Sequence, residues 1–560
     1  MKKIYFLFYF LVTFSLFSQQ QEDAWLFLRD KPDSTSYITS PRLMLSQRAI
    51  DRRNNLQIII DGTDVPMHQP YVDNIKAVSG ITILGKSKWL NAVHIQATKT
   101  IIDDSFSNLP FIKRVEFANK TFNNLAQKSS KKLVLNHQNK FNNHQTEFNY
   151  GSTNDQIKML KGDYLHAQGL TGKGQIIAVI DAGFPNVKTL EAFKRLRDNN
   201  QILGGYDFVE RSANFYSGNN HGTNVLSTIG GYLENQFVGT APDAFFYLFR
   251  TENAPVEVPL EETLWVEAAE RADSLGVDVI NTSLGYTTFD NPDYNYSYAD
   301  MNGKTTFISR GAEIAANKGI LVVNSAGNEG NKTWKYITAP GDAPSVITVG
   351  AVDINKNIAS FSSFGPTSDN RVKPEILAKG ASVAVINHAN GAIVSSNGTS
   401  FSSPIMAGLI ACLNGNEGFL LKFSTDNKSK RQKNFNNYLK EAVYRSADRY
   451  ANPTDQYGYG IPDFEVALNN YIGSTASLEE EYLQTIKILP NPIITIFNID
   501  GVQGEIKEYK IQIFDILGKK VFQQNNVISN EIDISYLEKG VYFVKVSKEN
   551  KNKTIKVIKN

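Results

Sequence analysis

Gln175-Ile-Ile-Ala-Val-Ile180, running on into Asp181-Ala-Gly-Phe184, decides the fold. An unbroken apolar run ending in turn residues is how a strand buried on both faces reads, and such strands belong to parallel sheets covered by helices. The theme repeats downstream. Helical stretches at Leu260–Leu275 and Phe307–Lys318 are each followed by an apolar strand, Val277–Asn281 and Ile320–Asn324. The alternation predicts a doubly wound α/β parallel sheet within residues 151–473, with functional side chains at the C-terminal ends of the strands.

Asp181 stands at such an end, where a buried carboxylate can orient an imidazole; the same place suits a helix-capping aspartate. Residues 151–473 contain three histidines, His166, His221 and His388. His221 lies in Asn219-Asn-His-Gly-Thr223, before the small-residue run Val225–Gly231, a turn-to-helix junction from which a general base can be aimed. Asn328 follows a strand in Ser325-Ala-Gly-Asn-Glu-Gly330, and an amide on a glycine-rich loop can donate to an oxyanion. Ser400 lies in Asn397-Gly-Thr-Ser-Phe-Ser-Ser-Pro404, a tight turn opening an apolar helix. Free backbone N–H groups and the positive end of the dipole favour a developing anion there. Taken singly, these are a capping serine, a structural histidine and a turn asparagine; together they are a nucleophile, a base, an orienting acid and an oxyanion donor.

In chain order the three reactive groups run Asp, His, Ser, which is the order of subtilisin and not that of chymotrypsin or the α/β-hydrolases. Ala178–Phe184, His221-Gly-Thr223, Asn281-Thr-Ser-Leu-Gly285, Ser325–Asn328 and Gly398–Pro404 resemble the signature blocks of subtilisin-like serine peptidases. Phe361–Pro366 and Lys373-Pro-Glu375 resemble two further blocks, and the likeness covers residues 155–470. The resemblance implies Ser400 as nucleophile, His221 as its base, Asp181 as orienter and Asn328 as oxyanion donor beside the Ser400 N–H. It also implies that Ser283-Leu284-Gly285 pairs with substrate as an added strand. Ser325-Ala326-Gly327 would then form the opposite wall of the pocket for P1, the residue before the scissile bond. Three positions depart from the pattern. Ala182 replaces a serine or threonine, Asn224 replaces a second histidine, and Ala378-Lys-Gly380 lacks a proline. The implied function is a secreted serine endopeptidase acting on polypeptides through an acyl-enzyme, made as a zymogen and requiring no cofactor. The rivals are an esterase-like serine hydrolase and a catalytically inactive surface or adhesion homologue. The chain order and the missing G-x-S-x-G oppose the first, and the intact triad opposes the second.

The chain of 560 residues is too long for one core, and its net charge of +2 gives no reason to expect nucleic acid. Cys412 is the only cysteine, which excludes an intrachain disulfide and suits a buried inert thiol. Lys2-Lys3 before the apolar run Ile4–Phe17 read as a signal peptide over residues 1–18, too short for a stable membrane span. Export through the periplasm of a Gram-negative bacterium, to the medium or the cell surface, is expected. Residues 19–118 read as a small α+β unit, with a helix from Ser40 to Asn54, and their layout resembles the inhibitory propeptide of such peptidases. Residues 119–150 form a polar processing linker and 474–484 a second linker. Alternating apolar residues over 485–560, as in Ile511–Gly518 and Leu537–Lys545, predict a small β-sandwich. It resembles the sorting domain of the type IX secretion system of Bacteroidetes, whose machinery becomes an expected partner; an accessory carbohydrate- or surface-binding sandwich is the alternative. In Phe289–Gly303, Asp290, Asp293, Asp300 and Asn302 are candidate ligands for a structural calcium ion, although they lack EF-hand spacing and also suit a solvated loop.

Overall fold

The computed structural model describes residues 20–123, 148–415, 435–472, 486–502, 506–548 and 551–560. The signal segment 1–18, most of the 119–150 linker and the 474–484 linker lie outside the described residues. The described residues up to Ala467 form one compact unit, and those from Leu468 to Asn560 form a second.

The first unit begins with four antiparallel strands, β1 (Gln21–Leu28), β2 (Thr82–Ser87), β3 (Ala92–Thr98) and β4 (Ile112–Phe117), in the order β2-β3-β1-β4. The two-residue period of β1 splits its side chains. Ala24, Leu26 and Leu28 pack with Val72, Ile75, Ile102 and Phe106 from the helices Gln69–Lys76 and Lys99–Phe106. Trp25 and Phe27 face the other way, into the core of the larger sheet. There the Trp25 ring stacks on Phe307 at 4.9 Å and its Nε1 donates to Thr263 Oγ1 at 2.9 Å. The helix expected from Ser40 is broken. A 3₁₀ turn at Pro41–Leu43 ends it, and a new helix starts at Gln47 because Ser46 Oγ accepts from the Ala49 N–H at 3.1 Å. The Ser46 N–H is itself held by the Ser274 carbonyl at 2.8 Å, a tertiary contact that no local pattern announces.

The main sheet contains β5 (Ile176–Asp181), β6 (Ile202–Asp207), β9 (Phe245–Arg250), β10 (Val279–Thr282), β11 (Leu321–Ser325), β12 (Ile347–Val352) and β13 (Ile376–Lys379). A small hairpin, β7 (Tyr232–Leu233) and β8 (Phe237–Val238), stands apart. The seven strands are parallel in the order β13-β12-β11-β10-β5-β9-β6. The chain winds from β5 to one side, returns to β10 and continues to the other side. The strand order therefore reverses at β5 and β10, and a crevice at such a reversal is where a doubly wound sheet binds its ligand. Helices Pro259–Leu275 and Phe307–Asn317 pack on Ala178, Ile180, Ile280 and Val322. Helices His221–Gly230 and Thr399–Asn414 contact each other and the sheet. Cys412 is 0% exposed in the latter helix, and burial pushes its thiol well up. A hairpin of β14 (Val383–Ile386) and β15 (Ile393–Ser396) leads into that helix.

The second unit has two antiparallel sheets. One is β16 (Lys487–Leu489), β17 (Ile496–Asp500) and β20 (Glu531–Asp533). The other runs in the order β19 (Lys520–Gln524), β18 (Tyr509–Asp515), β21 (Gly540–Lys548) and β22 (Lys551–Lys559). Ile488 and Phe497 from the first meet Ile511, Val544, Val546 and Val557 from the second in one core, which makes a β-sandwich.

Candidate active site

Strand β5 ends in Asp181, which is 0% exposed beside the reversal point. Its Oδ1 accepts from the Ala182 N–H at 2.7 Å and contacts His221 Nδ1 at 2.7 Å. A carboxylate only accepts, so this contact holds the ring proton on Nδ1 and leaves Nε2 as the acceptor of the neutral imidazole. Asp181 Oδ2 has no hydrogen-bond partner among the described residues, and the methyl of Ala182 offers no donor. His221 opens the helix His221–Gly230. Gly222 makes that approach feasible, because a Cβ there would lie 2.4 Å from the Gly183 carbonyl oxygen and 3.0 Å from Asp181 Cβ. Burial by itself would push the His221 pKa down; the charge and hydrogen bond of Asp181 outweigh it and raise the pKa above its ordinary value. The side chain stays 31% exposed, within reach of a ligand.

Ser400 is the second residue of the helix Thr399–Asn414, preceded by Gly398 at φ 148°. Its Oγ bonds to the Ser283 carbonyl at 3.4 Å, while Ser283 Oγ donates to the Ser400 carbonyl at 2.9 Å. No hydrogen bond joins Ser400 Oγ to His221 among the described residues; catalytic hydrogen bonds often tighten only with substrate present. The Thr399 N–H and hydroxyl both meet Asn328 Oδ1, at 2.9 and 3.0 Å. A backbone N–H can only donate, so the amide must turn its oxygen to Thr399 and its Nδ2 away. Nδ2 points past Gly398, 3.7 Å from where a Cβ would stand there. Neither Nδ2 nor the Ser400 N–H has a protein acceptor among the described residues, and the start of a helix leaves such N–H groups available. Thr399, the residue that sets this amide, was not singled out in the sequence, although it adjoins Ser400 in the same Gly-Thr-Ser turn.

Ser283, Leu284 and Gly285 follow β10, and Ser325, Ala326 and Gly327 close β11 and continue beyond it. Ser283 and Ser325 are buried, Leu284 is half-buried and Gly285 is exposed. The Leu284 carbonyl accepts from Asn324 Nδ2 at 3.4 Å and Ser325 Oγ at 3.5 Å, which couples the two segments. Gly285 takes no backbone partner among the described residues, so its N–H and carbonyl remain for an added strand. His166, away from this cluster, is buried between Tyr150 Oη and the Thr240 carbonyl, both at 2.9 Å.

The calcium candidates do not assemble. Asp300 is committed to Lys120 Nζ at 2.7 Å and to Ser297, and Asn302 Oδ1 accepts from the N–H groups of Lys304 and Thr305. Asp290 accepts from the Glu257 N–H, while Asp293 shows its own N–H bonded to Asn291. Among the described residues no group of three or more His, Cys, Asp or Glu could hold a metal ion. Asp300 and Asn302 thus serve the loop's own turns and one lysine, and Asp290 reaches out of the loop to the Glu257 N–H.

Comparison with known sequences bears on this geometry. The Subtilase family (peptidase S8) matches residues 172–460. The chain belongs to the subtilase family. Subtilisin DY of Bacillus licheniformis is 33% identical over 260 residues, covering 46% of this chain and 82% of that protein. Serine protease AprX of Bacillus subtilis is 30% identical over 276 residues, 44% of this chain and 58% of its own length. Subtilisin E of Bacillus subtilis is 31% identical over 262 residues, 46% of this chain and 60% of its own length. A solved structure of the prenylagaramide maturation protease PagA gives a TM-score of 0.42 at 21% identity, over 56% of this chain and 98% of that one. The flanks of this subtilase match families too. The peptidase S8 propeptide domain of Bacteroidota matches residues 23–134, and the secretion system C-terminal sorting domain matches 487–560. This is a secreted or cell-surface serine peptidase with a propeptide and a sorting tail. No described helix is long and apolar enough to cross a membrane.

Proposed function

We propose that the subtilase is an endopeptidase in which Ser400 Oγ attacks the scissile carbonyl while His221 Nε2 takes its proton. The C–N bond then breaks, His221 returns the proton to the leaving amine, and an ester to Ser400 remains for water to hydrolyse by the same route. Asn328 Nδ2 and the Ser400 N–H receive the charge that develops on the carbonyl oxygen. Asp181 keeps the imidazole in the required tautomer and stabilises its cation. The observation that carries this reading is the 2.7 Å contact between a fully buried Asp181 and His221 Nδ1. Substrate adds as a strand along Ser283–Gly285, and the propeptide holds the enzyme inactive until cleaved. Residues 124–147, within the linker after the propeptide, lie outside the described residues.

The test uses a peptide blocked at both ends, incubated with the secreted protein. Internal cleavage that is lost in Ser400→Ala, together with an unprocessed Ser400→Ala precursor, is the expected result. Turnover confined to free chain ends, or to esters, would refute the endopeptidase.

A further inference from the structure

Asn281 puts an amide in the middle of an apolar sheet. It lies in β10 between Val179 of β5 and Val323 of β11, and it is 0% exposed. Burying such a group is unfavourable unless its polar ends are answered, and here both are. Nδ2 donates to Ser283 Oγ at 3.3 Å, and Oδ1 accepts from the Ser403 hydroxyl at 3.1 Å. The Ser403 hydroxyl has the Thr282 carbonyl as a second acceptor at 3.4 Å. Alternation along a strand puts residues 281 and 283 on one face, and the helical repeat puts 400 and 403 on one face. The two pairs therefore meet rung to rung, Asn281 on Ser403 and Ser283 on Ser400.

The second rung has its cause in the sequence. The Ser400 carbonyl would ordinarily accept from the N–H of residue 404, but Pro404, inside this helix, has no N–H and its ring crowds that carbonyl. Ser283 Oγ donates to it instead, at 2.9 Å. A hydroxyl that donates there still has its oxygen free to accept, and Asn281 Nδ2 supplies the donor. The amide is thus oriented from both ends, and it fixes the Ser283 hydroxyl in turn.

We propose that Asn281 is a positioning residue: acting through Ser283, it sets Ser400 against the segment that presents the scissile bond. The inference rests on the peptidase reading above, which makes Ser400 the nucleophile and Ser283–Gly285 the substrate strand. Asn281 itself touches neither substrate nor reacting atoms. Without its amide the Ser283 hydroxyl can turn, and the start of the nucleophile's helix loses the tie that replaces the bond Pro404 withholds. The Gly285 backbone, which pairs with substrate, is untouched, so binding survives while the attack suffers.

The experiment uses the secreted enzyme with active sites counted by fluorophosphonate labelling, and a peptide blocked at both ends. Asn281→Leu, similar in shape, should lower kcat by about 10–100-fold, the cost of a displacement of up to about 1 Å. KM should stay within about threefold, because the loss falls on the transition state. Ser283→Ala keeps the backbone and should lose kcat similarly; adding Asn281→Leu to it should cost less than about twofold more, since the two residues act as one unit. Asn281→Leu/Ser403→Ala replaces both partners by apolar groups, a change that can be nearly neutral for stability. It should recover the Tm lost in Asn281→Leu but not the kcat, whereas a merely structural amide would recover both. Full kcat in Asn281→Leu, independent losses from Asn281→Leu and Ser283→Ala, or a raised KM at unchanged kcat overturns the inference and leaves the proposed function standing. A wild-type enzyme that is not labelled and cleaves no internal bond overturns the proposed function, and this inference falls with it.

Discussion

Docking of residues 20–123 on the helices Pro259–Leu275 and Phe307–Asn317 removes five charges from water, and one substitution there should loosen the propeptide by orders of magnitude. Asp273 receives Arg52 and, at 2.7 Å, Arg53; Arg53 also reaches Asp64 at 3.0 Å, and Asp64 receives Lys318 Nζ at 2.7 Å. Arg52, Arg53 and Asp64 come from the propeptide, Asp273 and Lys318 from the peptidase. None of the five side chains is more than 7% exposed. Burial pushes the Asp64 carboxyl up, but Arg53 and Lys318 outweigh it and hold the pKa below its ordinary value, so Asp64 stays charged. Three cations face two anions, and Asp273 answers two of the cations. Asp273→Asn keeps the shape, takes from Arg52 its carboxylate and leaves Arg53 with Asp64 alone, and breaking one side of a buried pair costs about 3–5 kcal/mol. At about 1.4 kcal/mol per tenfold, affinity for the propeptide should fall by roughly two to three and a half orders of magnitude. The enzyme without its propeptide exposes Asp273 to water, so kcat/KM should not change. The assay is the inhibition constant of separately expressed residues 20–123, which carry their own hydrophobic core, against both processed enzymes. A shift of less than about threefold, the worth of an exposed pair, would show that the network does not hold the propeptide.

Asn328→Ala should fold and label normally yet lose about 10²–10³ in kcat, as removal of one oxyanion donor does; full turnover would remove Asn328 from the mechanism. Because Asp181 raises the His221 pKa above 6.5, the basic form that Ser400 needs becomes the majority only above that pH. The kcat/KM profile should therefore rise to a half-maximum above 6.5, and Asp181→Asn, which leaves burial unopposed, should move the inflection below it. A wild-type inflection below 6.5, or an activity falling toward pH 8, would contradict a histidine base. Deleting residues 485–560 should strand the protein in the periplasm with its peptide turnover intact; normal secretion of the truncation would assign the sandwich to accessory binding.

Much of the site is legible in the sequence because its chemistry sits at places with local signatures. Asp181 ends an apolar strand, His221 and Ser400 open small-residue helices, and Asn328 lies in a glycine-rich turn. Each signature spans a few residues, so sequence spacing exposes it. What stayed hidden depends on contacts between distant segments. Asn281 looks out of place in an apolar strand until the helix that begins at Thr399 brings Ser403 to it. Arg53 and Asp273 are unremarkable surface charges until docking buries both. The break in the Ser40–Asn54 helix follows from Ser274 holding Ser46 from across the interface. The acidic loop shows the same limit, since composition shows acidic residues at 290, 293 and 300 but not that Asp300 is paired with Lys120.

The central claim is that Ser400 is a nucleophile activated by His221, and covalent capture tests it most directly. Secreted enzyme treated with a fluorophosphonate, digested and mapped by mass spectrometry should carry one adduct per chain, on Ser400, and His221→Ala should slow its formation by orders of magnitude. An adduct on another serine, or none on an enzyme that still cleaves peptides, would contradict the account.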